Sequence, residues 1–78
     1  MRKNEILEKI IAVISTISDA EEITEDSELL EDLGISSMDV LYVVSCMEAE
    51  FGVKIPEKAV RSLEVVADMV DLVESMIK

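Results

Sequence analysis

Ser36 and Ser37 lie side by side in the run Glu31-Asp32-Leu33-Gly34-Ile35-Ser36-Ser37-Met38-Asp39. A helical apolar pattern begins just after them, so the run sets a serine hydroxyl in the first turn of a helix, beside a loop tightened by glycine. Backbone N–H groups without intrahelical partners face outward at such a place and favour an incoming phosphate. The serine side chain is expected to be exposed, since the apolar stripe of the helix lies on its other face. Such a hydroxyl can accept an anionic group delivered by a separate enzyme. Unaided it is a poor nucleophile, with no base near it. On local sequence alone, capping is the simpler account of both serines, because a serine oxygen satisfies a first-turn N–H at many helix starts.

The other candidate chemistries are quickly bounded. The chain has no histidine, which removes Ser-His and Cys-His machinery and most zinc sites together. Only a Ser-Lys pairing is left to a serine-dependent enzyme, so the chain is not expected to be one. Cys46 is the single cysteine; it can form no internal disulfide and reads as a small buried hydrophobe. The acidic run from Asp19 to Asp32 lacks the alternating ligands, central glycine and closing glutamate of a calcium-binding loop. No metal site is expected.

The elements that must position the serines follow from periodicity. Ile6, Ile10, Val13, Ile14 and Ile17 share one face of a helix from about Lys3 to Ile17. Ser18 to Ser36 is a long acidic connection with turn formers and the apolar anchors Ile23, Leu29, Leu30, Leu33 and Ile35. So long a connection in a small domain tends to be functional. Gly34 is expected at positive φ. A second helix runs from about Ser37 to Phe51, capped by Ser36, with Asp39 in its first turn, where the helix dipole favours negative charge. Val40, Val43, Val44, Met47 and Phe51 form its buried stripe, and Gly52 ends it. Lys54-Ile55-Pro56 is extended, Pro56 opens a short turn from Glu57 to Arg61, and a last helix carries Val66, Met69, Val70, Val73, Met76 and Ile77. Its start is ambiguous: Ser62 could cap it, but Val65 stands where a capping box needs Glu or Gln. The expected fold is all-α, a small antiparallel bundle of three main helices and one short one with a long first loop, in a single domain over residues 1–78.

Half of the 78 residues are apolar and only 3% are aromatic, so the core must be aliphatic. No apolar run approaches the ~20 residues needed to span a bilayer, and the Met-Arg-Lys-Asn-Glu start does not read as a signal peptide. Membrane insertion is not expected, and a cytoplasmic address follows by default. The formal charge of −11 repels phosphate, which argues against nucleic acid. Basic protein surfaces are its natural complement.

Leu33-Gly34-Ile35-Ser36-Ser37-Met38-Asp39 resembles the attachment motif of acyl carrier proteins, Leu-Gly-x-Asp-Ser-Leu-Asp. Glu48-Ala49-Glu50-Phe51-Gly52-Val53-Lys54-Ile55-Pro56 is similar to the family's acidic helix end with Phe-Gly-x-x-Ile-Pro. Val66-Ala67-Asp68-Met69-Val70-Asp71 resembles its last-helix Val-x-Asp-Leu-Val-Asp. The three segments fall in order at matching spacings over nearly the whole chain.

The resemblance implies that a phosphopantetheinyl transferase joins 4′-phosphopantetheine, taken from coenzyme A, to the Ser37 hydroxyl. The arm's thiol would then hold an acyl group as a thioester for successive acyl-processing enzymes, in fatty-acid, polyketide or other specialised biosynthesis. At matching positions, Met38, Leu41 and Ser45 would face partners, flanked by Asp39 and Glu48, on a monomer with an acidic docking surface. An acyl chain would enter among Val40, Val44, Met47, Ile55 and Ala59. Two alternatives stay open: an unmodified carrier-like interaction module, and a peptidyl or aminoacyl carrier. Three positions depart from the pattern. Ser36 replaces the aspartate that helps transferase and metal contact, and Tyr42 and Ala49 stand where acids are common, which points to a specialised carrier.

A marginal aliphatic bundle at charge −11 should be loosened by self-repulsion. Its melting temperature should rise with added salt or divalent cations as screening increases. Thermal melts in both series check this, and a melting temperature indifferent to either would remove the repulsion from the account.

Overall fold

A computed structural model describes residues 3–77. It contains four helices: α1 (Lys3–Ser15), α2 (Ser37–Phe51), α3 (Glu57–Val60) and α4 (Val66–Met76). α1 packs against both α4 and α2. Ile6, Ile10 and Ile14, one above another on α1, are wholly buried, as the four-residue spacing requires. They meet Val40, Val43, Val44 and Met47 of α2 and Val66, Met69, Val70 and Val73 of α4 in one aliphatic core. Phe51 and Cys46, both expected inside, are half-buried at its margin.

α1 stops two residues before Ile17. The Ser15 and Thr16 hydroxyls donate back to the carbonyls of Ala12 and Val13, at 2.8 and 2.6 Å, while the Thr16 and Ile17 N–H groups tighten onto Val13 and Ile14. Such side-chain bonds compete with helix continuation. Ile17, past the helix end, still packs against the core as the periodic pattern requires.

The long connection is tied down along its length. The Ser18 hydroxyl donates to the Leu33 carbonyl at 2.8 Å, closing its two ends together. Leu29 N–H donates to the Glu64 carbonyl at 2.9 Å, Val66 N–H to Ser27 at 3.1 Å and Ala67 N–H to Glu25 at 2.9 Å, around an antiparallel bridge between Glu28 and Val65. The loop thus pairs with the segment leading into α4, a long-range contact with no periodic trace in the sequence. Leu29, Leu33 and Ile35 are buried beneath it, and Ile23 is partly so. Leu30, expected as a fourth anchor, is 55% exposed. It follows Leu29 directly in a turn, and when Leu29 faces the core its neighbour faces out.

The start of α4 is set by Asp68 rather than Ser62. The Asp68 carboxylate accepts from Glu64 N–H at 2.9 Å and Val65 N–H at 3.1 Å. Val65 has no oxygen to complete a reciprocal box, so the carboxylate alone does the capping. The Ser62 hydroxyl donates instead to Ala59, closing the end of α3, which runs to Val60 rather than Arg61.

Asp68→Ala should lower stability by about 1 kcal/mol, the usual cost of a lost helix cap, and the melting temperature by roughly 4–8 °C. Asp68→Asn keeps an acceptor oxygen and should lose less. Circular-dichroism melts of the two variants measure the difference.

Candidate functional site

α2 begins with a reciprocal pair of hydrogen bonds. Asp39 N–H donates to the Ser36 hydroxyl at 3.2 Å, and Ser36 N–H donates to the Asp39 carboxylate at 3.0 Å. Val40 N–H donates to the Ser36 carbonyl at 3.0 Å, the first backbone bond of the helix. Ser36 is therefore the N-cap, in extended conformation (φ −86°, ψ 170°), and Ser37 is the first helical residue. Gly34 at φ 64° turns the chain into this start, a conformation costly for any residue with a Cβ. Buried Leu33 and Ile35 on either side of Gly34 hold the turn to the core.

Ser37 is exposed. Its own N–H and that of Met38 open the helix where intrahelical acceptors are lacking. Both serines are exposed, but they divide the work: the Ser36 hydroxyl is bound to the backbone and the Ser37 hydroxyl is not. Local sequence alone left capping open for both.

An open groove of about 330 Å³ starts at Ser37. Leu29, Leu30, Val40 and Leu41 form its apolar wall, and Glu57 of α3 and Arg61, just past the end of α3, also line it. Beneath, among Val44, Met47, Ile55 and residues of α4, the interior void is only about 10 Å³, room for about one water molecule. Of the residues expected to receive an acyl chain, Val44, Met47 and Ile55 line this void and Val40 lines the groove, while Ala59 lines neither. The bundle is closed in this state, so such a chain would have to part the helices.

Met38 is 74% exposed and Leu41 43%, with Ser45 exposed on the same helix. Tyr42 is also exposed, its phenol raised above its ordinary pKa by the neighbouring Cys46 thiol. Asp39 and Glu48 are half-buried. Asp39 serves the cap, and Glu48 accepts from Ile55 N–H at 2.7 Å, across the turn that follows α2. That turn is made by Gly52 at φ 66°, with the Val53 N–H donating to the Glu48 carbonyl at 3.2 Å. Glu48 thus pins Ile55 and the step into α3. Periodicity leaves Glu48 off the buried stripe and gives no sign of this bond. Among the described residues there is no cluster of acidic or sulfur ligands able to hold a metal, and no helix long and apolar enough to cross a membrane.

The sequence matches the phosphopantetheine attachment site family over residues 5–73. The chain belongs to the acyl carrier protein family. It is 32% identical over 79 residues to the acyl carrier protein of Thermosynechococcus vestitus, covering 99% of this chain and 98% of that one. It is 41% identical over 56 residues to an acyl carrier protein of Rhizobium meliloti, covering 72% of each. Its fold superposes on the crystal structure of an acyl carrier protein from Thermotoga maritima with a TM-score of 0.85 at 26% identity, over 99% of this chain and 92% of that one. The cofactor of a carrier of this family is covalently attached 4′-phosphopantetheine. An exposed serine hydroxyl, helix-start N–H groups and a groove opening beside them fit such a group.

Glu48→Ala leaves the half-buried Ile55 N–H without its acceptor and should cost about 1–3 kcal/mol. Glu48→Gln keeps an acceptor and removes only the charge, so it should melt closer to the parent. Comparing the two by denaturant titration separates the structural bond from any loss of partner binding.

Proposed function

We propose that Ser37 is the attachment residue, and that the chain carries acyl groups as thioesters on its arm and presents them to successive enzymes. The observation that carries this reading is the division between the two serines: Ser36 is engaged with Asp39, while Ser37 is exposed at the first position of α2. In the attachment step, the serine oxygen forms a bond to the phosphorus of coenzyme A's phosphopantetheine. The pyrophosphate linkage breaks, the nucleotide portion leaves, and the serine proton goes to the transferase. The carrier itself does no catalysis in this scheme. When bound, the group supplies a terminal thiol able to hold the acyl cargo.

Partner enzymes in this reading approach along α2, meeting exposed Met38, Leu41 and Ser45, with Asp39 and Glu48 as flanking charge. The charge of −11 suits basic docking surfaces and rapid transient encounter. Tyr42 and Ala49, both exposed, make this face more apolar than acids would and support a carrier serving a dedicated pathway. A single monomeric carrier domain in the cytoplasm completes the proposal.

Incubating the protein with coenzyme A and a broad-specificity phosphopantetheinyl transferase should add the mass of one phosphopantetheinyl group. The gain should disappear in Ser37→Ala and persist in Ser36→Ala, whose loss of a cap costs only about 1 kcal/mol. No gain in the parent protein would favour an unmodified interaction module instead.

A further inference from the structure

The chain carries 18 acidic residues against seven lysines and arginines, and an arm on Ser37 brings one more negative charge, that of a phosphodiester. Among the described residues lining the groove that opens at Ser37, Arg61 is the one cation. Apart from Ser37 and Glu57, the other groove residues are apolar. The Arg61 side chain is 77% exposed, and its Nη2 lies 3.0 Å from a Glu57 carboxylate oxygen one helical turn earlier. An exposed pair at this spacing holds its partners weakly. It uses one nitrogen of a guanidinium that offers five donors, and Arg presents them in a planar fork matched to phosphate oxygens.

We propose that Arg61 is a positioning residue for the phosphopantetheine arm, binding its phosphodiester from across the groove; this rests on Ser37 as the attachment residue. The Glu57 carboxylate competes with the phosphodiester for the guanidinium, but the pair is exposed, weak and engages one nitrogen, which leaves the remaining donors to the phosphate. The contact supplies local positive charge where the surrounding acidic field would otherwise drive the phosphodiester outward. It holds the serine end of the arm toward the groove between α2 and α3, rather than toward the exposed Met38 side of α2.

The test uses the full chain loaded enzymatically. The Arg61 Nε–H resonance should shift between the unloaded and loaded protein. The phosphorus resonance should move in Arg61→Gln toward its value in the same loaded protein unfolded in urea. Arg61→Lys should restore part of the parent position, since a point charge replaces the fork. The difference between parent and Arg61→Gln should shrink at about 1 M salt, where the Debye length is roughly 3 Å. Amide spectra away from the groove should match in all variants, which a merely structural role for Arg61 would not produce. Coincident phosphorus resonances in the parent and Arg61→Gln, with an unmoved Arg61 signal, would overturn the contact while leaving Ser37 as the attachment residue. Failure of the parent to gain the arm at all would overturn both.

Discussion

The Ser36–Asp39 pair of hydrogen bonds fixes where α2 begins, and the site's geometry depends on that register. Starting the helix at Ser37 turns Val40, Val43, Val44 and Met47 into the core and leaves Ser37, Met38, Leu41 and Ser45 toward solvent. A start one residue later would rotate the relation between cap and serine by about 100°, because a helix turns through 3.6 residues. Gly34 supplies the turn into this start, and Leu33 and Ile35 anchor it on either side. The exposed hydroxyl is therefore a product of core packing as much as of local capping. A small domain has little burial to spare, and here the same few residues secure both the fold and the site.

The acidic surface has a structural side as well. Asp39 caps α2, Asp68 caps α4, Asp32 accepts from Glu28 N–H at 2.9 Å, and Glu48 accepts from Ile55 N–H. Each carboxylate satisfies a backbone donor at a turn or helix start, where water would otherwise have to serve. Asp39 and Glu48 are each held at a fixed position by the backbone N–H they accept from.

The face around Ser37 combines two kinds of surface. Along α2 it offers exposed Met38, Leu41 and Tyr42, side chains suited to burial against another protein. On the same groove it offers the Glu57–Arg61 pair, from the start of α3 to the residue just past its end. The core itself is tight, with a void of only about 10 Å³ among Val44, Met47, Ile55, Met69 and Val73. A cargo that stays outside meets the groove walls, whereas one that enters must displace aliphatic side chains packed at solid-like density.

The sequence by itself determined which segments are helical, the bounds of α2 and the exposed serine at its start. Four-residue spacing on α1, the stripe on α2 and the Gly52 stop are local patterns, and local patterns survive in one dimension. The bounds of α2 and the positive φ of Gly34 were legible for that reason, as was the family, whose segments recur in order. Tertiary structure decided the rest. Leu30 faces out because Leu29 faces in, and Asp68 rather than Ser62 starts α4 because the Glu28–Val65 bridge fixes the approach of the chain. Glu48 reaches a backbone N–H seven residues on, and Arg61 borders the groove of Ser37, 24 positions before it. Such pairings are set by how loops close in space, and sequence spacing alone carries no record of that closure.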